Sequence, residues 1–172
     1  MKRLITLLFL FILCQGLRAQ TDMTRMAVDI KKLFGEYIGD FRTLKGALVS
    51  DSEFESIYYS RIKLAGSVDS SNFIHYVKDR DIWSYTAEFD KQKISVQALD
   101  SLINTIFFSF GKLKTTTYGA AWGKSYTPDD KKGADEKIKC FFISVFDREK
   151  KLNDHSGKLL FTIGQDIYYR GK

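Results

Sequence analysis

The chain has 172 residues, with 27 Lys+Arg against 21 Asp+Glu. Its formal charge of +6 is too modest and too interleaved to mark a nucleic-acid surface, which wants a clustered cationic face. A single proline with 14 Phe and 9 Tyr excludes a low-complexity or disordered polymer, and two cysteines exclude a disulfide framework.

The first segment is read as an export signal. Lys2 and Arg3 precede an apolar run from Leu4 to Cys14, and Leu17-Arg18-Ala19 puts a small residue where a signal peptidase cuts. The run would rise only about 16 Å as a helix, roughly half of a hydrocarbon core. Leu13 stands where a lipoprotein signal needs a small residue, so Cys14 is expected to leave with residues 1–19. Removing Lys2, Arg3 and Arg18 leaves 24 basic against 21 acidic residues, a net +3, so half of the apparent basicity belongs to the leader. Only Cys140 then remains, and an intramolecular disulfide is ruled out. The expected product, residues 20–172, is one exported domain, periplasmic or secreted, with no transmembrane segment in the mature chain.

Apolar residues Met23, Met26, Ala27, Ile30, Leu33, Phe34, Tyr37, Ile38 and Phe41 follow one helix face. Strand-type segments come next: around Leu48-Val49, then Ser56 to Leu64, Asn72 to Lys78 and Ile82 to Phe89. A second helix is expected over Val96, Leu99, Leu102, Ile103, Ile106, Phe107 and Phe110, opened by Ser95 as N-cap and closed by Gly111. Strands are then expected at Leu113 to Trp122, Ile138 to Phe146 and Lys158 to Tyr169, the last as a hairpin turning near Gly164 and Gln165. The segment Lys124 to Glu136, with Pro128 and Gly133, reads as a long exposed loop.

A shift of 69 residues superimposes the two helix stripes and sets Phe41-Arg42-Thr43-Leu44-Lys45 on Phe110-Gly111-Lys112-Leu113-Lys114, a shared Phe-x-x-Leu-Lys exit. Further on, Tyr58-Tyr59-Ser60 is set on Phe141-Phe142-Ile143 and Asp81-Ile82-Trp83 on Asp166-Ile167-Tyr168, with the growing offset assigned to a charged insertion at Lys124 to Glu136. The expected fold is therefore α+β. It consists of tandem helix-plus-antiparallel-strands halves, pseudo-repeats of about 23–90 and 94–170, with two helices on one face of an antiparallel sheet. In residues 137–146, Phe141, Ile143 and Val145 share one side while Ile138, Cys140, Phe142 and Phe146 share the other, which marks a central strand with Cys140 as a small core residue.

The helix leading into Phe41 to Gly46, followed by a Tyr-rich strand ending in Leu64-Ala65-Gly66, resembles small exported two-repeat proteins of Bacteroidetes bacteria that have no assigned activity. In architecture, tandem helix-plus-four-strand halves resemble the beta-lactamase inhibitor protein, whose concave sheet grips another protein. This resemblance carries over no functional residue.

Chemistry-bearing residues are sparse. His75 alternates with Phe73 and Val77 on a strand face and reads as a packed or hydrogen-bonded residue, and His155 reads as part of a polar turn. There is no His-x-His, His-x-x-x-His or Cys-x-x-Cys spacing for a metal and no Gly-x-Ser-x-Gly elbow. Gly123-Lys124-Ser125 lacks the earlier glycine of a phosphate loop, since position 118 is tyrosine. Neither a catalytic residue nor a cofactor nor a metal is assigned; a pH-tuned base or metal ligand at His75 or His155, and a carboxylate pair from Asp79, Asp81, Glu88 or Asp90, are the alternatives. Tyr58-Tyr59 and Tyr168-Tyr169 each send one ring to each strand face, and with Trp83 and Trp122 they are the expected contact residues of a binding surface. The function expected is a non-enzymatic binding protein that holds a protein, peptide or envelope component through an aromatic sheet face and the 124–136 loop. The alternative is a small-molecule or lipid carrier, or an enzyme, with a pocket between helices and sheet.

Overall fold

The computed structural model describes residues 22–37, 39–107, 113–118, 123–128, 141–147 and 157–165. Helix α1 covers residues 22–37 and buries Met26, Ile30, Leu33 and Tyr37, a single stripe at helical spacing. The apolar stripe in the sequence runs on to Phe41, but the helix ends earlier. Asp40 and Phe41 take left-handed backbone angles (φ 59° and 52°), and Phe41 N–H closes onto Glu36 C=O at 2.9 Å. Phe41 is nevertheless fully buried, which compensates for the unfavourable backbone conformation. A 3-10 turn, Arg42–Leu44, then leads into the first strand.

Strands β1 (Lys45–Asp51), β2 (Glu55–Ser60), β3 (Phe73–Val77) and β4 (Ile82–Asp90) form an antiparallel meander. Helix α2 (Val96–Phe107) follows, opened by Ser95, whose Oγ accepts Ala98 N–H at 3.1 Å. A second meander comprises β5 (Leu113–Tyr118), β6 (Gly123–Pro128), β7 (Phe141–Asp147) and β8 (Lys158–Gln165). The eight strands form one sheet in the order β1-β2-β3-β4-β8-β7-β6-β5, so the meanders join where β4 pairs with β8. Exchanging the halves leaves this order unchanged. The fold is α+β, with both helices packed against one antiparallel sheet. No helix among the described residues is long and apolar enough to cross a membrane.

One core holds the layers together. Phe34 of α1 lies edge-on to Phe107 of α2 (5.2 Å between centroids) and to Phe141 of β7 (4.8 Å), and Tyr37 meets Phe141 at 5.1 Å. Beneath them lie Tyr85, Ala87, Phe89, Ile143, Val145, Phe161 and Ile163, all on the helix side of the central strands.

Three expectations need correction. Residues 124–128 are not loop: they lie in β6, which pairs with β5 along its length and with β7 from Gly123 to Tyr126, and Tyr126 is fully buried. The strand is inconspicuous because its other positions are Gly, Lys, Ser, Thr and Pro. The remainder of the expected loop, 129–136, lies outside the described residues. Gly164 is not a turn but an interior β8 residue facing Ser84 and Phe142. Any Cβ there would come within 2.6 Å of Ser84 Cβ, so glycine is present for close approach and not for reversal. Finally, a constant 69-residue shift carries β1 onto β5, β2 onto β6 and β3 onto β7, whereas setting Tyr58 on Phe141 pairs non-equivalent strands. The connections 61–72 and 129–140 are both 12 residues long. The extra length lies instead between β7 and β8, where 148–157 has ten residues against four in 78–81.

Candidate functional site on the helix-free sheet face

Strand alternation sorts the expected contact residues. Tyr58 and Tyr59 point to opposite faces, as their adjacency demands. Tyr59 is 48% exposed on the helix-free face, while Tyr58 packs toward the core and stacks on Trp83 at 6.5 Å. Trp83, expected on the open face, is only 8% exposed and lies on the helix side, stacked on Tyr76 at 4.2 Å. The alternation of β4 requires this, because Trp83 shares its side with Tyr85, Ala87 and Phe89. Lys45 Nζ lies over both rings, 4.7 Å from Trp83 and 5.0 Å from Tyr58. Trp122, Tyr168, Tyr169, Cys140 and His155 lie outside the described residues.

The helix-free face is built from the opposite set of positions. Tyr59 pairs with Phe73, their rings 5.5 Å apart, while Ile57 pairs with His75 and Val77 with Ile82. Ile57, Tyr59, Phe73 and Val77 make an apolar and aromatic patch over β2 and β3, with Ile82 of β4 buried at its edge. From Tyr59 and Phe73 the same register continues as Thr86, Thr162, Ser144, Ser125 and Thr116, one row of hydroxyl side chains across β4, β8, β7, β6 and β5. Ser144 and Ser125 are buried within the row, and Thr116 at its far end is exposed.

His75 is the chemical centre of the patch. Its Nδ1 lies 2.7 Å from Glu55 Oε1 and its Nε2 lies 3.0 Å from Thr86 Oγ1. With Nδ1–H donating to the carboxylate, the neutral ring accepts the threonine hydroxyl at Nε2. Sequence alternation places His75 on this face, but its two partners come from β2 and β4 and depend on cross-strand register. An acid–imidazole–hydroxyl chain is the geometry of an activated nucleophile. Here, however, Thr86 sits mid-strand with β3 on one side and β8 on the other, so the nearby backbone N–H groups are held in ladders and not aimed at a developing oxyanion. The chain instead fixes the orientation of three side chains on an open surface.

The carboxylates considered as a catalytic pair do not converge. Asp79 and Asp81 lie in the β3–β4 turn, whereas Glu88 and Asp90 end β4, about 20 Å away along the strand. Glu88 is paired with Lys158 at 2.9 Å. Among the described residues, no group of three or more His, Cys, Asp or Glu is placed to hold a metal ion. An open groove of about 680 Å³ lies at the starts of both helices, lined by Met23, Met26, Gly66, Ile94 and Ala98 and edged by Lys93. It lies outside the helix–sheet interface where a carrier pocket is expected. The search of family models, curated proteins and solved structures gives no match to this chain.

Proposed function

We propose that the chain is an exported, non-enzymatic binding protein that holds a protein, peptide or envelope component on the helix-free face of its sheet. The observation that carries this reading is one-sided coverage: both helices lie on one face, while the other presents Ile57, Tyr59, Phe73 and Val77 as one patch next to hydroxyl side chains and an oriented imidazole. An internal duplication, the resemblance to small exported two-repeat proteins, and the architectural resemblance to the beta-lactamase inhibitor protein belong to the same proposal. The alternative of a carrier or enzyme with a pocket between helices and sheet has less support, because Phe34, Tyr37, Phe107 and Phe141 fill that space.

The test uses a photocrosslinking residue at position 59 in the exporting cell, with the same residue at Gln97, on the exposed side of α2, as control. Discrete adducts from position 59, absent from position 97 and lost when Phe73→Ser is added, are the expected result. Equal labelling at both positions, or none at 59, would reject the binding face. Export is checked separately by N-terminal sequencing of the mature protein, expected to begin at Gln20.

A further inference from the structure

The edge strand β1 is open to solvent along most of its length, with residues 47–51 exposed. Of the five large apolar side chains exposed among the described residues, four belong to the β1–β2 hairpin: Leu48, Val49, Phe54 and Tyr59. Natural edges are usually protected by proline, by a charge in mid-strand or by a bulge that puts an incoming strand out of step. The central stretch Ala47-Leu48-Val49-Ser50 has no proline and no charge, so two bulges are the protection it carries.

Two features point to the partner. The first is charge. Lys45 opens the strand and Asp51 closes it, each three residues from Leu48. Lys45 lies over the Tyr58 and Trp83 rings but has no carboxylate partner among the described residues. Asp51 accepts both Lys78 Nζ and Ser56 Oγ, each at 2.6 Å, at the same oxygen, Oδ1, which leaves Oδ2 open. The second is register. β1 carries one extra residue relative to β2 between Lys45 and Leu48, and another between Leu48 and Ser50. These bulges bring Lys45, Leu48 and Asp51 to the helix side of the sheet, opposite Ser60, Tyr58 and Ser56, although a spacing of three would alternate faces in a regular strand.

We propose that β1 pairs antiparallel with β1 of a second copy of this chain, about a two-fold axis at Leu48. In that register Leu48 faces Leu48 of the other copy, and each Lys45 faces the other copy's Asp51. The bulges select this partner. A regular peptide strand laid along β1 falls out of step at each extra residue, whereas a second β1 run antiparallel sets one bulge against the other and remains in step. The interface is isologous, as a two-fold dimer requires. It joins the two sheets edge to edge, with both helix-free faces on the same side. This inference does not depend on what that face binds.

The test is charge exchange in the purified chain. Lys45→Glu alone sets two carboxylates against each other at both ends of the paired strands, and Asp51→Lys alone sets two ammonium groups against each other there. Each variant is therefore expected to sediment as a monomer, while the unmodified chain has twice that mass. Mixing the two folded variants places their introduced charges opposite each other at one end and their native charges opposite each other at the other, and is expected to give a heterodimer. Leu48→Cys, with Cys14 and Cys140 replaced by serine, is expected to oxidise to a covalent dimer, since facing residues of an antiparallel pair lie about 4.5–5.5 Å apart, within disulfide reach. Tyr59→Cys, on the opposite face, is the control and is expected not to crosslink. The proposal is overturned if the unmodified chain sediments as a monomer, if both charge variants remain dimeric, or if the mixture stays monomeric.

Discussion

Asp100, on α2, ties the second helix to the sheet by polar contacts. It accepts Tyr126 Oη–H at 2.6 Å, Lys124 Nζ at 2.5 Å and Asn104 Nδ2 at 3.0 Å. Burial raises its pKa, but the hydrogen bonds from Lys124, Tyr126 and Asn104 and the Lys124 charge together outweigh burial, so the carboxyl is held below its ordinary value of 3.8. The carboxylate is therefore the form favoured by folding. Its contribution is complete above the ordinary carboxylate pKa and is lost as pH falls below it through the folded value. Asp51 acts in the same direction, through hydrogen bonds from Lys78 and Ser56. Asp100→Asn is expected to lower stability at pH 7 and to flatten the acid limb below pH 3.8, as read by urea unfolding at a series of pH values. Tyr126→Phe removes one donor to a charged acceptor and is expected to cost about 1.5–3 kcal/mol near neutral pH, with a smaller loss once Asp100 is protonated. An acid limb unchanged in both variants would remove Asp100 from this role. None of this network is legible in the sequence, because Asp100 looks like any solvated helix acid until β6 is placed beneath it. The two faces at Tyr58 and Tyr59 are legible from adjacency alone, and the core side of Trp83 follows from the alternation of β4.

At the scale of elements, the helices and the strongly alternating strands are written in apolar period, and the N-cap at Ser95 in residue type. β6 is not written this way. Only Tyr126 is large and apolar, and Lys124 on the same side is held by an acid from another element, which no local pattern reports. Glycine has the same ambiguity: Gly164 suggests a turn by composition, while Gly66 and Gly157, at φ 79° and 66°, are the ones that need a left-handed backbone. The two roles respond differently to a methyl group. Gly164→Ala puts Cβ 2.6 Å from Ser84 Cβ and 2.9 Å from Trp83 O, in the seam between β4 and β8. It is expected to cost about 1–3 kcal/mol in a denaturant titration, and Ser84→Gly in the same chain is expected to recover part of the loss by relieving the nearer clash. A neutral Gly164→Ala would mean that the seam can open, and the close approach of β4 and β8 would no longer explain the glycine.

For the whole molecule, topology makes the halves look separable, but packing joins them. β4 meets β8 along seven residue pairs from Ser84 to Asp90, and two ion pairs, Glu88–Lys158 and Lys91–Asp147, each 2.9 Å, cross the same boundary. Phe34 of the first half has its ring neighbours, Phe107 and Phe141, in the second. A first half alone would therefore expose Phe34 and the unpaired edge of β4. A second half alone would expose Phe107, Phe141 and the edge of β8. Cutting the chain in the turn after Lys91 separates the halves without removing a strand. Each fragment alone is expected to lack a cooperative thermal transition and to aggregate through its open edge. The two produced together are expected to assemble into one species with a single transition, seen alike by far-ultraviolet circular dichroism and by tryptophan fluorescence. If the first fragment melted cooperatively on its own, each half would hold its own core, and the Phe34–Phe107–Phe141 cluster would be only a contact between finished units.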